Sequence, residues 1–472
     1  MTPVPDDLRG WAEAADGQTL QQIRTHAAEI RARLEEDTPW PSVALARLFN
    51  ADGTDAEVLA VVERWCARMP EPSLLAAAAA GHRAAGRLDD AVALYAKLAA
   101  EAREASWRAS GCAHLARLYQ LQGRDQRAGD ALREAKAHLD ADPSARVGAL
   151  VYAVEATLRC SEERFRDALD SLHHAIGLGL TYSAAELCLL FGLRGNIEFD
   201  LGFLQSAEAS FEQAIDRARA ASIRSVAAIY AGYLGWCLAE QGKSASPQRL
   251  RSSAVECTAL GLERFSHQFA ALRAALFWQA TDPLRLEAAL GSLRATGDVQ
   301  RANALEVLHV ASDLRAASQA NGRRERLFHL CSAHERIEAA PRVEDDGRIA
   351  VRSTRRLLHE FVSRSEAPAP NTLAVELGAL SGYTSQGPFD LREHSKLSRL
   401  LWTLVCAWSE GKGASDEQLI ERAWGDDQSS IASKRRRLRV AVSELRKRVV
   451  GDGLQRVHGG YRLEQECEII AN

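Results

Sequence analysis

The group of side chains best suited to bind another molecule is a run of basic residues near the carboxyl end of this 472-residue chain. Residues 434–448 contain eight Lys or Arg and one acid, a local charge of eight minus one, or +7, whereas the whole chain has a formal net charge of −4. Apolar residues recur along this run at the spacing of one helix face: Ile431, Leu438, Val442, Leu445 and Val449. The pattern predicts an amphipathic helix over residues 430–449, whose basic side suits the major groove of DNA.

The other side of this predicted helix contains the candidate binding residues. At about 100° per residue, the positions opposite the apolar stripe are Ser433, Arg436, Val440, Ser443 and Lys447, and the flanking positions are Arg437, Arg439 and Glu444. A run of charged residues more often forms a helix face exposed to solvent than a binding surface. The sharply defined apolar stripe and the hairpin signal that follows at residues 456–463 favour a binding helix on a compact domain.

No arrangement of residues suits catalysis, a cofactor or a structural metal. Gly242-Lys243-Ser244 is similar to the end of a phosphate-binding loop, but Cys237 occupies the position of the required glycine. Glu338 stands where a zinc motif that starts at His334 needs its second histidine. The nine cysteines form no Cys-x-x-Cys pair. We therefore expect a protein that is not an enzyme, has no cofactor or metal, and resides in a reducing compartment.

The composition and the apolar stretches favour a folded cytoplasmic protein. Hydrophobic residues make up 46% of the chain and charged residues 26%, the balance of globular domains. The first residues lack the basic start and apolar run of a signal peptide. The longest apolar stretch, residues 74–80, is too short to cross a bilayer. We expect a cytoplasmic, nucleoid-associated location and no membrane partner.

A small pattern repeats upstream of the basic run. It consists of a turn residue, an Ala five positions later and a large apolar residue four further on. Its copies are Gly86-Ala91-Tyr95, Gly123-Ala128-Leu132, Glu163-Ala168-Leu172 and Gly202-Ala207-Phe211. The alanines are 37, 40 and 39 residues apart. The spacing predicts pairs of helices, because the turn residue joins two helices, the Ala lets them approach closely and the larger residues share one face.

Small residues upstream of each turn mark where the first helix of a pair would cross its neighbour: Ala80-Gly81, Gly111-Cys112, Ala153, Gly192 and Gly195. Together these features resemble tetratricopeptide repeats, with steps longer than the usual length of about 34 residues. The resemblance covers residues 72–260, and weaker helical periodicity continues to about 340. It implies an α-solenoid that binds a protein or peptide partner or mediates oligomerisation. A helical bundle without repeats is the alternative.

Four segments follow from these patterns. We predict an N-terminal helical cap over residues 1–71, the repeats over residues 72–340, a helix and a Pro-rich linker over residues 341–370, and a DNA-binding domain over residues 371–472. The last boundary is placed at the prolines of residues 367–370, because proline does not continue a helix.

The last segment combines short strands with helices. We expect strands at residues 372–377 and 388–391, and a Leu-rich helix that ends before Gly411. A second helix is expected to be capped by Asp416, and the basic helix and the hairpin follow it.

This order of elements resembles the winged-helix DNA-binding domain of OmpR/PhoB-type response regulators over about residues 372–464. The motifs that carry the resemblance are Phe389-Asp390-Leu391, Glu417-Gln418-Leu419-Ile420, Ala423-Trp424-Gly425, Val442-Ser443-Glu444-Leu445-Arg446-Lys447-Arg448 and Gly460-Tyr461-Arg462-Leu463. The expected fold is therefore mainly α, a tetratricopeptide-like α-solenoid plus a small α+β winged-helix domain.

The resemblance implies roles for individual residues. Those that would read base edges are Arg439, Val440, Ser443 and Glu444. Those near phosphate would be Arg436, Arg446 and Lys447, with Arg456 and His458 in the wing. The loop 424–430 lies where some family members touch RNA polymerase. Two departures are Glu444, where many members carry Arg, and a wing about one residue shorter than usual.

The sequence thus predicts a bacterial transcription regulator that binds double-stranded DNA as a homo-oligomer, with the repeats binding a partner or ligand. No receiver domain precedes the basic helix, because the N-terminal region does not alternate strands and helices. The alternative is a repeat scaffold or adaptor whose winged helix binds protein. Salt-dependent retention on DNA or heparin distinguishes the two.

Overall fold

The computed structural model describes residues 4–13, 17–48, 55–85, 87–179, 184–296, 299–341, 345–364, 372–384, 387–425 and 427–470. The chain divides into two compact units. The first unit consists of Met1–Arg273, Leu284–Asn303 and Val343–Ile349, and the second of Ala274–Pro283, Ala304–Arg342 and Ala350–Asn472. The Pro-rich residues 367–370 lie outside the described residues, and the four predicted segments stay predictions.

Helices build the first unit. Those before the repeats are α1 (Arg9–Glu13), α2 (Gly17–Thr25), α3 (Ala27–Ala32), α4 (Trp40–Ala46) and α5 (Ala56–Arg68). The helices that carry the repeated pattern are α6 (Pro72–Ala84), α7 (Leu88–Glu101), α8 (Ala105–Leu121), α9 (Asp125–Ala141), α10 (Ala145–Ser161), α11 (Phe165–Gly179), α12 (Ala184–Asp200) and α13 (Leu204–Ala220). The helices that follow are α14 (Arg224–Glu240), α15 (Ser246–Ala259), α16 (Glu263–Leu276), α17 (Leu284–Ala295) and α18 (Val299–Leu305).

The predicted helical repeat is confirmed. The four pattern alanines are fully buried at 91, 128, 168 and 207, each in the second helix of a pair. The turn residues Gly123 and Gly202 have φ of 68° and 82°, the left-handed region that glycine adopts without steric cost. Glu163 takes the same conformation, with φ of 59°. Gly86 lies outside the described residues.

Close approach of neighbouring helices explains the small residues that the sequence places upstream of the turns. A Cβ on Gly111 would lie 2.9 Å from the backbone nitrogen of Ala99, and one on Gly192 would overlap the ring of Tyr230. Because only glycine fits at such crossings, these positions fix how neighbouring helices pack.

Helices and two small sheets make up the second unit. Its helices are α19 (Val310–Gln319), α20 (Arg323–Ala339), most of α21 (Asp345–Ser363), α22 (Ser395–Ser409), α23 (Asp416–Trp424) and α24 (Ile431–Leu445), which continues as a π-type turn over Arg446–Val450. Its strands are β1 (Leu373–Glu376), β2 (Ser381–Thr384), β3 (Gly387–Asp390), β4 (Ala414–Ser415), β5 (Leu454–Val457), β6 (Gly460–Leu463) and β7 (Cys467–Ile470). Short 3₁₀ turns occur at Trp278–Ala280, Glu306–His309, Leu377–Ala379 and Gly451–Gly453.

Two small sheets pack against helices of this α+β domain. The first sheet has the order β3-β2-β1-β7, with β1 antiparallel to β2 and parallel to β7. The second has the order β4-β6-β5 and contains the hairpin that follows α24. The sequence predicted β1, β3 and this hairpin but missed β2, β4 and β7, which are short and have no strong alternating pattern.

Two local predictions in this domain were wrong. Asp416 does not cap α23, because the Ser415 side chain accepts from the backbone N–H of Gln418 and completes a capping box. Ile431 is 67% exposed instead of buried, because it is the first residue of α24, about two turns before the buried stripe begins at Leu438. The rest of that predicted stripe, residues 438, 442, 445 and 449, is buried as expected.

Across the described part of the chain, every helix is too short or too polar to span a bilayer.

Candidate nucleic-acid interface

Helix α24 is held by its apolar side and presents its basic side outward. Leu438, Val442 and Leu445 are buried, and the helix packs against α22 and α23. The hydroxyl of Ser430 accepts from the backbone N–H of Ser433 at 3.3 Å and so caps the first turn. The helix therefore has one orientation on the domain, which fixes the residues that face outward.

The exposed face of α24 contains most of the residues predicted to bind. Arg436, Arg439, Ser443 and Lys447 are exposed, and Val440 is 66% exposed, whereas Ser433 is half-buried. Within the described residues, the side chains of Arg436, Arg439 and Lys447 have neither a hydrogen-bond nor an ion-pair partner. These three cations are free to meet an anionic ligand.

A shallow depression of about 400 Å³ lies on the same face. Its lining residues are Leu397, Arg436, Arg437, Val440, Ala441 and Glu444. The exposed apolar side chain of Val440 shares this depression with the cations Arg436 and Arg437. Such a surface offers both charge for phosphate and apolar contact for a base edge.

Glu444 is ion-paired with a cation of the same helical segment. Its carboxylate accepts from Nε of Arg448 at 2.5 Å, and Arg448 also contacts Nε2 of His394 at 2.9 Å. The hydrogen bond from Arg448 holds the pKa of Glu444 below its ordinary value. The acid therefore stays charged, and its repulsion of phosphate is partly offset by Arg448.

Arg437 is tied to the loop before the helix. Its guanidinium forms an ion pair with Asp427. The backbone N–H of Ser429 and the guanidinium of Arg437 lower the pKa of Asp427 to about 2. In the loop 424–430, Asp426 lies outside the described residues, while Trp424 ends α23 and Ser430 caps α24. The contact of this loop with RNA polymerase stays a prediction.

Arg446 and Arg456 are engaged by the protein itself. Arg446 donates from Nε and Nη2 to the carbonyl of Leu454, at 3.1 and 2.8 Å. Arg456 forms a two-pronged ion pair with Asp416, both distances being 2.7 Å, and lies over the ring of Tyr461. This pair joins the hairpin to the start of α23, so it orients the hairpin.

The tip of the hairpin is short and exposed. His458 and Gly459 form the turn, and Gly459 has φ of 75°. Both residues of the turn are exposed. The role of all ten predicted site residues in binding DNA stays a prediction, but the structure brings Arg436, Arg439, Val440, Ser443 and Lys447 onto one surface.

Sequence reasoning missed several polar contacts that shape this region. Arg435 pairs with Glu417 across α23 and α24 at 3.3 Å, and Arg462 pairs with Glu464 on the hairpin strand. The first pair has no spacing signal, because its partners come together only when α23 and α24 pack, whereas the second joins residues two apart along the chain. Among the described residues, no three His, Cys, Asp or Glu side chains are grouped so as to hold a metal ion.

Comparison with known proteins finds no matching family model and no matching curated protein. Solved structures do match. A Rap protein in complex with competence and sporulation factor has a TM-score of 0.52 at 13% identity, over 75% of this chain and 98% of that one. A signal transduction ATPase with a tetratricopeptide repeat sensor, from Pyrococcus horikoshii, has a TM-score of 0.43 at 14% identity, over 70% and 49% of the two chains. The apo quorum sensor NprR from B. thuringiensis has a TM-score of 0.39 at 12% identity, over 75% and 97%. The first match shows the fold of this chain, a tetratricopeptide-like helical solenoid, to which a small α+β domain is joined.

Proposed function

We propose that this protein is a transcription regulator that binds double-stranded DNA through an OmpR/PhoB-type winged helix, with α24 as the recognition helix. The observation that carries the proposal is the set of free cations at Arg436, Arg439 and Lys447 on the exposed face of a helix whose other face is buried. The order of α22, α23, α24 and the β5–β6 hairpin supports it. We propose no catalytic role and no cofactor.

Binding would proceed by two kinds of contact. The guanidinium and ammonium groups of α24 neutralise phosphates and release counterions, so the affinity falls as salt rises. Val440 and Ser443, at the centre of the exposed face, lie where base edges are read. Arg446 and Arg456 mainly hold the helix and the hairpin in place, because their guanidinium groups already bind Leu454 and Asp416.

The helical repeats would recognise the molecule that signals to the DNA-binding domain. The Rap protein that shares their fold was solved in complex with competence and sporulation factor. By analogy we propose that the repeats of this chain bind a protein or peptide partner. We also propose that the protein acts as a homo-oligomer, because a single winged helix reads only a short half-site, and that the loop 424–430 contacts RNA polymerase.

The test is a fluorescence-anisotropy titration of the full chain at two salt concentrations. The probes are duplex DNA from upstream of the protein's own gene and random duplex of equal length. Salt-dependent binding that is tighter to the upstream DNA is the expected result. Absence of binding to both duplexes at low salt would reject the proposal.

The adaptor function is favoured by one observation. Several basic groups near the proposed interface are already paired, namely Arg435, Arg437, Arg448 and Arg456. If the domain binds protein instead of DNA, the full chain should elute from heparin at a salt concentration set by the net charge of the whole chain. Replacing Arg436, Arg439 and Lys447 should then leave this salt concentration unchanged. A pull-down with the intact chain would then identify the partner.

A further inference from the structure

Two cysteines of the second unit lie side by side. Cys331 is on α20 and Cys406 is on α22, two helices that pack against each other, and the thiol of Cys331 lies close enough to Cys406 to raise its pKa. Both thiols are free and line one cavity of about 510 Å³. We propose that Cys331 and Cys406 form a reversible dithiol–disulfide site, which a low-molecular-weight disulfide oxidises. The inference is independent of DNA binding.

The packing of α20 against α22 keeps the two thiols together. The ring of His334 lies edge-on to that of Trp402, with centroids 4.6 Å apart. The guanidinium of Arg324 lies 4.6 Å from the ring centroid of Trp408. These contacts lie on either side of the thiols along both helices. Because the two cysteines lie on helices that pack against each other, the closing step is intramolecular.

The cavity gives a polar oxidant access to the pair. Besides the two sulfurs, its walls contain Ser332, Ser409, Glu335 and Glu410, which are polar groups. Cys406 is only partly buried, whereas the eight other cysteines, all within the described residues, are buried. Closure to a protein disulfide should therefore favour this pair, because closure needs a second thiol within reach and an entry for the oxidant.

The chemistry is two successive thiol–disulfide exchanges. The thiolate of Cys406 attacks a small disulfide, forms a mixed disulfide and releases one small thiolate. The thiolate of Cys331 then attacks the sulfur of Cys406, forms the protein disulfide and releases the second small thiolate. Two protein thiols are oxidised, one small disulfide is reduced to two thiols, and the two protons pass to the released thiolates.

The rate of the first step should depend on pH. The neighbouring Cys331 thiol and burial raise the pKa of Cys406 above its ordinary value. The carboxylate of Glu335 adds to this rise, and the guanidinium of Arg422 opposes it. The thiolate is therefore a small fraction at neutral pH, and this fraction increases about tenfold per pH unit. Oxidation of the folded protein should accelerate accordingly between neutral and mildly alkaline pH.

The experiment uses the full chain, reduced and then incubated with oxidised glutathione under native conditions at two pH values. Free thiols are alkylated, the chain is digested, and the peptides are analysed by mass spectrometry. We expect a linked pair of peptides containing Cys331 and Cys406, lighter by two hydrogen atoms than the sum of the reduced peptides. The link should form faster at the higher pH and disappear on reduction with dithiothreitol.

Variants and controls make the assignment specific. Cys331→Ser and Cys406→Ser should each abolish the link, and Cys257→Ser, at a buried lone cysteine, should leave it intact. Circular dichroism establishes that each variant is folded. The proposal is overturned if the wild-type chain alkylates at both cysteines after oxidation, if Cys406 retains glutathione without closing, or if the link appears only after denaturation.

Discussion

Arg301 and Asp346 form an ion pair inside the first unit, with Nη1 of Arg301 2.7 Å from Oδ2 of Asp346 and both side chains largely buried. Tyr233 donates to the same carboxylate at 3.2 Å, and Arg301 also donates to Gln268 at 2.5 Å. These residues lie on α14, α16, α18 and α21, so one polar network fixes the first turn of α21 to helices distant in sequence.

Removing one charge from this network should destabilise the first unit. Asp346→Asn leaves the guanidinium of Arg301 buried without its counterion, a change that costs about 3 kcal/mol. Urea unfolding followed by circular dichroism measures the loss. The control is Asp313→Asn, whose partner Arg336 is 39% exposed at the side chain and which should lose less than about 1 kcal/mol. Equal effects of the two variants would contradict a buried, tightly coupled pair.

Replacing the turn residue Glu163 by glycine should stabilise the folded protein. Its φ of 59° is unfavourable for any residue with a Cβ, and Glu163→Gly removes that steric cost. We expect the free energy of unfolding to rise by about 1 kcal/mol. The neighbouring Glu162 has φ of −84°, so Glu162→Gly gains nothing sterically and should lower stability. Thermal unfolding of the two variants beside the parent chain checks both signs.

Gly192 should tolerate no side chain, because a Cβ there would overlap the ring of Tyr230. Gly192→Ala should therefore lower the free energy of unfolding by about 3 kcal/mol through overpacking. Gly177, on α11, has nothing within 4 Å of its Cβ position, and Gly177→Ala should raise stability by about 0.5–1 kcal/mol through helix propensity. Chemical denaturation measures the free energy of unfolding of both variants and of the parent chain. Similar changes at the two glycines would show that the helices do not cross as described.

His114 should make the first unit sensitive to acid. It is stacked on the ring of Tyr95, with centroids 4.6 Å apart, and burial lowers its pKa to about 3. The folded state keeps the imidazole neutral, while the unfolded chain binds a proton below about pH 6.5, so stability falls as pH decreases from 6.5 towards 3. Between pH 7 and pH 5 this group should remove about 2 kcal/mol.

The contribution of His114 is isolated by comparing variants across pH. His114→Leu should show a weaker fall in stability between pH 7 and pH 5 than the parent chain. His173→Leu, at an exposed histidine on α11, should follow the parent chain. If His114→Leu has the same pH dependence as the parent, the imidazole is not buried in the neutral form.

Much of the fold was predictable because it depends on local patterns. The 37–40-residue recurrence of alanines predicted the helical pairs, and the apolar stripe predicted the orientation of α24. The turn at Glu163 was recognised although it lacks glycine, because its position in the repeat defined it. Short strands such as β7 were missed, because β7 exists only through its parallel pairing with β1, nearly a hundred residues earlier.

The candidate interface was predictable in part for the same reason. Helical periodicity placed Arg436, Val440 and Lys447 outward without knowledge of the fold. It did not reveal that Arg446 and Arg456 are bound to Leu454 and Asp416, because these contacts join residues brought together by the hairpin. Sequence thus predicts which side of a helix is charged, and the packed structure shows which charges are free.

The central claim is that free cations of α24 bind DNA phosphates, and its most direct test is the salt dependence of DNA affinity. Anisotropy titrations compare the parent chain, Arg436→Ala/Arg439→Ala, and the charge-matched control Arg127→Ala/Arg133→Ala on the exposed side of α9. We predict weaker binding for the first variant, with the slope of log K against log salt reduced by about 2, and parent-like binding for the control. Equal affinity and slope for all three proteins would contradict the account.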